Sequence, residues 1–255
     1  MNGENMNKGQ SALSCQKLTK AFGGLEAVKD VDLRVTHGER RAIIGPNGAG
    51  KTTFFNLING QHPVTSGSIE LLGRNVTKLP AHKRAALGLG RTFQITNLFP
   101  TKTVIDNLVI SAMGLMSTKF SMFRSLSSYG PLYEKAERAL KPLGLSKLDQ
   151  VLVKNLSYGE QRQVEIAMAL ISQPKVLLLD EPTAGLSPAE SHMMSEIIQA
   201  LDPSITILII EHDMDVALSV ANTITVLHEG RVFMEGSANE VRGNAKVQEI
   251  YFGEE

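Results

Sequence analysis

The sequence predicts an α/β fold with a mainly parallel central sheet, and three observations support this class. Short apolar runs at 41–44, 176–179, 205–210 and 223–228 have the length of buried strands. Segments with helical spacing lie between these runs. A glycine-rich loop joins the first run to a helix predicted over 51–59. Strands that alternate with helices in this way are typical of parallel sheets covered by helices.

The pattern before and between these runs predicts further elements. Residues 25–35 and 68–72 are predicted to form strands, because apolar and polar side chains largely alternate in the first and a glycine turn follows the second. Helical spacing predicts helices over 103–116 and 132–143, and another from Tyr158 to about residue 172. The middle of the chain is therefore predicted to be mainly helical.

The order of these elements predicts how the chain is organised. We expect a single domain over residues 11–255, with its core over about 11–94 and 171–255. A helical subdomain over about 95–170 is expected to be inserted in that core. Residues 1–10 are polar and rich in Asn and Gly, which predicts a flexible tail.

The composition argues against several classes of protein. The chain has 255 residues with 26 basic and 26 acidic side chains, so no basic excess indicates nucleic acid as a partner. Cys15 is the only cysteine, which excludes an internal disulfide and predicts an inert structural thiol in an intracellular protein. The strongest apolar runs are much shorter than the roughly 20 residues that span a bilayer, so we expect no membrane-spanning segment.

Residues 45–52 match the phosphate-loop pattern G-x-x-x-x-G-K-[ST], between a predicted strand and a predicted helix as the pattern requires. Glycines let successive backbone N–H groups turn toward phosphate oxygens, and the helix N-terminus adds a positive dipole. Lys51 is expected to reach the β- and γ-phosphates, and the Thr52 hydroxyl to bind Mg²⁺. The predicted nucleotide-binding residues here are Gly45, Pro46, Asn47, Gly48, Ala49, Gly50, Lys51, Thr52 and Thr53.

Two carboxylates follow the apolar run at 176–179. Asp180, at a strand end beside a phosphate loop, is suited to coordinate Mg²⁺ through water. Glu181 follows at once and can polarise the attacking water as a general base. Asp-Glu-Pro after a strand is by itself an ordinary turn, but the phosphate loop favours the catalytic interpretation.

The segment Ser157-Tyr-Gly-Glu160 has two compatible interpretations. It is a capping box, in which Ser157 caps a helix and the Glu160 side chain reaches back. A serine-capped helix N-terminus with a nearby glycine, here Gly159, can also bind an anion. In the second interpretation Ser157, Gly159 and Glu160 present the helix dipole to the γ-phosphate of a nucleotide held by another subunit.

In this order the motifs resemble those of the ATP-binding cassette family over nearly the whole chain. Residues 45–52 resemble its Walker A motif, residues 156–160 its signature motif and residues 176–181 its Walker B motif. The resemblance implies a P-loop NTPase (RecA-like) core with an inserted helical subdomain and an N-terminal antiparallel β portion. It also implies ATP and Mg²⁺ as ligands, ATP hydrolysis, and a site shared between two cassettes.

The same resemblance implies roles for three more residues. Gln94 is similar to the Q-loop glutamine, which binds Mg²⁺ and water and senses the γ-phosphate. His212 is similar to the switch histidine of the catalytic site, and Phe22 to the aromatic residue that stacks on adenine. Two positions depart from the family pattern: Tyr158 replaces the first signature glycine, where it could crowd the phosphate, and Ser187 replaces the D-loop aspartate.

A narrower resemblance is to the longer ATPase subunit of branched-chain amino-acid importers. It rests on residues 22–25, 90–94, 98–100, 103–108, 156–167, 210–214 and 249–253. It implies two transmembrane permease subunits, a second ATPase subunit that is either a copy or a relative of this chain, and a periplasmic or extracellular substrate-binding protein. The chain is then expected to be peripheral, on the cytoplasmic face of the inner (plasma) membrane. Importers of urea, amides and aromatic acids share much of this pattern, so the substrate stays open.

Two other functions stay open at this point. The first is an exporter ATPase, which only the narrower resemblance distinguishes from an importer subunit. A soluble cassette ATPase acting on ribosomes or DNA usually carries a second cassette, a coiled coil or basic insertions, and this chain shows none of these patterns. For the importer, Asn97, Leu98 and Phe99 are predicted to line a groove that receives a permease helix.

Overall fold

The computed structural model describes residues 11–92, 98–114 and 130–252. Gln94, Asn97 and the predicted tail over 1–10 therefore lie outside the described residues. The strands are β1 Ser11–Phe22, β2 Leu25–Thr36, β3 Arg40–Ile44, β4 Ser66–Leu71, β5 Arg74–Asn75, β6 Leu89–Arg91, β7 Val176–Asp180, β8 Thr206–Ile210, β9 Thr223–His228 and β10 Arg231–Gly236. The helices are α1 Lys51–Asn59, α2 Ala81–Ala86, α3 Val104–Met113, α4 Gly130–Leu140, α5 Tyr158–Leu170, α6 Pro188–Ala200, α7 Met214–Val220, α8 Ala238–Arg242 and α9 Ala245–Phe252.

The central sheet has six strands in the order β10-β9-β3-β8-β7-β6. Strands β9, β3, β8, β7 and β6 are parallel, which confirms the predicted class, and β10 pairs antiparallel with β9 at one edge. The carboxyl ends of β3, β7 and β8 lie side by side, because Ile210 is in register with both Ile43 and Asp180. Loops that leave these ends share one edge of the sheet, where open α/β sheets bind ligands.

A second sheet has the strand order β2-β1-β4-β5 and is antiparallel, as the family resemblance implied. Its strand β1 was not predicted from the pattern. The register of β1 against β2 shifts between Cys15 and Leu18, so the alternation of its side chains is interrupted. Cys15 is buried in this sheet, and burial raises the pKa of its thiol to about 12.

The core lies on both faces of the central sheet, because side chains alternate along its strands. Ile43 and Leu178 pack with Phe54 of α1 and with the antiparallel sheet. Ala42 and Leu177 face the other way, into a cluster built with helices α3 to α7. Since both faces are covered, these strands read as continuous apolar runs in the sequence.

The described part of the middle segment is helical, as predicted. Leu108 of α3, Ala136 of α4 and Val164 of α5 are fully buried in one cluster with the sheet. Helix α4 ends at Leu140, earlier than the predicted residue 143, and a 3₁₀ turn containing Pro142 follows. Proline has no N–H to donate to the preceding turn, so the α-helix cannot continue regularly through it. No helix in the described ranges is long and apolar enough to cross a bilayer.

Candidate functional site

The glycine-rich loop leaves β3 and enters α1, at the edge of the sheet where β7 and β8 also end. Gly50 has φ +97° and precedes α1 directly. A Cβ on Gly50 would overlap the Ala27 carbonyl oxygen, and a Cβ on Gly45 would overlap the Leu227 carbonyl oxygen. Glycine is therefore required at both positions by the close approach of neighbouring backbone, a reason that the phosphate-loop pattern alone did not show.

Lys51 folds back over the loop that precedes it. Its Nζ donates hydrogen bonds to the carbonyl oxygens of Gly45 at 2.6 Å and Pro46 at 3.0 Å. Burial lowers the pKa of Lys51, and the charge of Glu181 opposes that shift. The ammonium group is thus held at the loop by carbonyl dipoles, in the position from which it can exchange these partners for phosphate oxygens.

An open pocket of about 350 Å³ lies over this loop. The residues that line it are Ala27, Asn47, Gly48, Ala49, Gly50, Lys51, Thr52, Thr53, Glu181 and His212. The structure therefore brings most of the predicted loop residues together with Glu181 and His212, two of the three predicted catalytic residues. The Thr52 side chain belongs to an exposed residue on the first turn of α1.

Glu181 and His212 form a close pair at the rim of this pocket. The distance between Glu181 Oε1 and His212 Nε2 is 2.6 Å, so a proton on Nε2 is donated to the carboxylate. Glu181 has φ +49°, which is a strained conformation for a residue with a side chain. The Glu181 backbone N–H donates to the Ile210 carbonyl at 3.0 Å, so the turn is tied to the end of β8.

Asp180 ends β7 and is almost completely buried. Its Oδ2 accepts a hydrogen bond from Arg91 Nη2 at 2.8 Å, and its backbone N–H donates to the Thr92 hydroxyl. Burial raises the pKa of Asp180, and the Arg91 guanidinium opposes that shift. Its other oxygen, Oδ1, is buried and has no hydrogen-bond partner among the described residues.

The N-terminus of α5 confirms the predicted capping box. The Ser157 hydroxyl accepts from the Glu160 N–H at 3.3 Å, and the Glu160 carboxylate accepts from the Ser157 N–H at 2.8 Å. Ser157, Gly159 and Glu160 line a groove of about 620 Å³ together with residues of α6. They do not line the phosphate-loop pocket, so the predicted site residues line two different pockets of the chain.

Tyr158 is turned toward the loop that precedes α6. Its hydroxyl donates to the Ala184 carbonyl at 3.3 Å, and the ring lies so close to Gly185 that a Cβ there would be 3.1 Å from a ring carbon. The guanidinium of Arg162 lies 5.2 Å from the ring centroid. Ser187, the other departure from the family pattern, caps α6 in a second capping box with Glu190.

Of the other predicted site residues, Phe22 is described but does not lie at the phosphate loop. Phe22 ends β1, is exposed, and has its ring centroid 5.6 Å from that of His62, with Lys20 Nζ 4.8 Å from the Phe22 centroid. It does not line the phosphate-loop pocket. Gln94 lies outside the described residues. The predicted roles of both residues stay predictions.

Sequence reasoning assigned no role to Arg91 or Glu211, and both contact site elements. Arg91 holds the Asp180 carboxylate, and Glu211 accepts hydrogen bonds from Thr183, two residues after Glu181. The available signal was their position, since Arg91 stands three residues before Gln94 and Glu211 directly before His212.

A parallel α/β sheet with a glycine loop, a lysine and a strand-end Asp-Glu pair at its carboxyl edge defines a P-loop nucleotide-binding protein.

Comparison with known proteins defines the family. The family model for the ABC transporter matches residues 28–184, more than half of the chain. The chain therefore belongs to the ABC transporter family, as the motifs implied, and is an ATPase of that family.

Two relatives and two solved structures illustrate the similarity. The chain is 38% identical to the high-affinity branched-chain amino acid transport ATP-binding protein LivG of Escherichia coli over 96% of this chain and 99% of that protein. It is 36% identical to BraF of Pseudomonas aeruginosa, which has the same description, over 95% and 98%. The ADP conformation of MJ1267, an ATP-binding cassette of an ABC transporter, superposes with a TM-score of 0.86 at 32% identity, over 96% and 100%. The dimeric structure of MJ0796, a bacterial ABC transporter cassette, superposes with a TM-score of 0.75 at 25% identity, over 89% and 98%.

Proposed function

We propose that this chain is the ATP-binding and ATP-hydrolysing subunit that powers an importer of branched-chain amino acids or a related small polar substrate. The observation that carries the proposal is the full-length similarity to LivG and BraF, whose names describe high-affinity branched-chain amino acid transport. The phosphate-loop pocket supplies the chemistry that such a subunit needs. The chain acts at the cytoplasmic face of the plasma membrane, as a peripheral subunit.

In this function the phosphate loop binds ATP. The backbone N–H groups of residues 47–52 and the N-terminus of α1 bind phosphate oxygens. Lys51 exchanges its hydrogen bonds to the Gly45 and Pro46 carbonyl oxygens for bonds to the β- and γ-phosphates. Phe22 stacks on the adenine ring.

Glu181 and His212 carry out the catalytic step. Glu181 accepts a proton from the attacking water and so polarises it toward the γ-phosphorus. His212, 2.6 Å from the Glu181 carboxylate, orients that carboxylate and adds positive polarity beside the developing charge. Gln94 positions the water and responds to the γ-phosphate.

The three residues proposed to hold a magnesium ion carry oxygen ligands, which suit that ion. Thr52 supplies a hydroxyl oxygen on α1, Asp180 supplies a carboxylate that binds through water, and Gln94 supplies an amide oxygen. The buried Asp180 Oδ1 without a partner among the described residues supports this fit. When bound, the ion neutralises charge that develops on the phosphate oxygens.

The second surface completes the site of a neighbouring cassette. Ser157, Gly159 and Glu160 line a different pocket from the phosphate loop of their own chain and present a capped helix N-terminus, which favours an anion. We propose that they contact the γ-phosphate of ATP held by a second ATPase subunit, either a copy or a relative of this chain. The dimeric structure of MJ0796 supports the pairing of two cassettes.

Leu98 and Phe99 are the described part of the proposed permease groove. Leu98 lines a small apolar cavity of about 70 Å³ with Met168 of α5. Phe99 is exposed, and its backbone is fixed by the buried Asn107 amide, which accepts from the Phe99 N–H at 2.7 Å and donates to the Phe99 carbonyl at 3.2 Å. An exposed apolar side chain on a fixed backbone suits contact with a short helix of a permease. Two permeases, a second ATPase and, indirectly, a substrate-binding protein are the proposed partners.

Purification from source cells in mild detergent, through a tag on the chain, tests these partners. Mass spectrometry is expected to identify two permeases and a second cassette ATPase. The Phe99→Ala variant is expected to lose the permeases. The control is Phe233→Ala, which is expected to retain them, because Phe233 is also exposed but lies on β10. Recovery of the wild-type chain alone, or with ribosomes, would contradict the proposed importer.

A further inference from the structure

Glu211 is a buried carboxylate beside the catalytic pair. It follows β8 directly, stands one residue before His212 and is only 2% exposed. Its Oε1 accepts two hydrogen bonds from Thr183, from the hydroxyl at 2.8 Å and from the backbone N–H at 3.2 Å. Burial of a carboxylate is costly unless its oxygens are hydrogen-bonded, so this residue is held by specific contacts.

The turn that carries Glu181 and the turn that carries His212 are joined by two pairs of side chains, one on each side. Successive residues at a strand end point in opposite directions. Accordingly, Glu211 points inward to Thr183, while the partly exposed His212 lines the pocket and contacts Glu181. The turn that carries Glu181 and the turn that carries His212 are thus linked on the pocket side by one pair and on the buried side by the other.

The backbone of Glu181 needs such support. Its φ of +49° is strained for a residue with a side chain, and such strain persists only where the surrounding structure fixes it. The Ala184 N–H donates to the Glu181 carbonyl at 3.1 Å, and Thr183 lies inside the turn that this bond closes. The bonds from Thr183 to Glu211 therefore fix the turn on the end of β8.

We propose that Glu211 is a positioning residue for ATP hydrolysis: with Thr183 it fixes the turn of Glu181 relative to the turn of His212. This inference rests on the proposed catalytic roles of Glu181 and His212. It predicts that the Thr183–Glu211 pair sets the rate of the chemical step, while ATP binding depends on the phosphate loop.

Steady-state ATP hydrolysis by the full-length chain tests the inference. Thr183→Val removes the hydroxyl donor with little change in volume and is expected to lower kcat about 10-fold with KM for MgATP nearly unchanged, since small misplacements of catalytic groups cost up to about 10²-fold. Thr183→Ser retains the donor and is expected to restore the wild-type rate. Glu211→Ala should lower kcat at least as much as Thr183→Val, and combining the two should lower it no further.

A matched control separates positioning from stability. Thr206→Val changes a buried threonine at the other end of β8, whose hydroxyl accepts from the Gly38 N–H at 3.0 Å. This variant is expected to unfold at lower temperature with an unchanged kcat. If Thr183→Val hydrolyses ATP at the wild-type rate, or if Thr206→Val loses as much kcat as Thr183→Val, the positioning role is wrong.

Two further variants keep the test decisive. If Thr183→Val does not fold, Glu211→Gln and Glu211→Ala replace it, because Gln keeps an acceptor oxygen for Thr183 and Ala does not. Equal kcat values for these two variants would overturn the inference. Glu181→Gln in the same assay tests the proposed role of Glu181 as the base. Hydrolysis at the wild-type rate by Glu181→Gln would contradict that role. An inactive Glu181→Gln together with a fully active Thr183→Val would contradict only the positioning role of Glu211.

Discussion

Arg91 and Asp180 form an ion pair of 2.8 Å in which the Arg91 side chain is 6% exposed and the Asp180 side chain 0% exposed. The pair joins the ends of β6 and β7. Arg91 also donates to the Asn56 side-chain oxygen at 2.7 Å, which ties both strands to the helix that follows the phosphate loop. Asp180, a proposed ligand of Mg²⁺, is therefore held by a contact with a residue that lies 89 positions away in the sequence.

We expect Arg91→Gln to destabilise the fold strongly. Removal of one partner leaves a buried, uncompensated carboxylate, which costs about 3 kcal/mol or more. The control is Arg242→Gln, since Arg242 pairs with Asp215 at the same 2.7–2.8 Å but on the surface, where such pairs contribute about 0–1 kcal/mol. Urea unfolding of both variants measures the difference. Equal losses of unfolding free energy in Arg91→Gln and Arg242→Gln would contradict the expectation that the buried ion pair matters more for stability than the exposed one.

We expect Glu181→Gln to bind ATP but to slow hydrolysis roughly 10²-fold or more, because the amide cannot accept the proton of the attacking water. The variant is also expected to accumulate as the closed dimer. Glu196→Gln is the matched control, since Glu196 lies 3.7 Å from His192 in an exposed Glu–His pair. Single-turnover hydrolysis and size-exclusion chromatography with ATP measure both effects. Hydrolysis by Glu181→Gln near the wild-type rate would remove Glu181 as the base.

We expect Gly50→Ala to abolish ATP binding and to destabilise the chain more than Gly73→Ala does. Both glycines have positive φ, +97° and +74°, so both variants incur the backbone cost of about 1–2 kcal/mol. Only Gly50→Ala also drives a Cβ into the Ala27 carbonyl, because nothing lies within 4 Å of a Cβ at Gly73. Thermal unfolding and equilibrium binding of a fluorescent ATP analogue measure the contrast. Similar behaviour of the two variants would mean that the close approach at Gly50 is not required.

We expect the stability of Glu211→Gln relative to wild type to rise with pH. Burial raises the pKa of Glu211 from 4.5 to about 7, the hydrogen bonds from Thr183 oppose the shift, and the charge of Glu181 adds to it. The folded state therefore binds more protons than the unfolded state between pH 4.5 and 7, so wild-type stability falls across this window. Glutamine does not titrate, so Glu211→Gln does not lose this stability as the pH rises. Urea unfolding of both proteins at pH 5 and pH 8 measures the difference. A parallel pH dependence of the two unfolding free energies would contradict the raised pKa of Glu211.

The sequence predicted the elements and residues whose signal is local. Helix α1 was predicted with its observed limits, Lys51–Asn59, because the loop glycines mark its start and Gly60 its end. The capping box of Ser157 and Glu160 was predicted for the same reason, since both partners lie within four residues. Glu181 was predicted from its place at the end of an apolar strand and His212 from the family resemblance, but their contact was not predicted.

Contacts between distant segments could not be predicted in this way. The short strand β6 was missed because its three residues have no clear period, and with it the role of Arg91. Strand β1 was missed because its register shifts interrupt the alternation. Tyr158 read as a residue that could crowd the phosphate, whereas the structure directs its hydroxyl to Ala184, 26 residues further along the chain.

Uptake measured with the purified complex in liposomes tests the central claim most directly. The complex of this chain with its permeases and second ATPase is reconstituted with ATP inside and the substrate-binding protein with radiolabelled leucine outside. We expect accumulation of leucine that requires ATP and the binding protein and is lost in Glu181→Gln but not in Glu196→Gln. ATP-driven uptake that persists in Glu181→Gln, or ATP-dependent release in place of uptake, would contradict the proposed function.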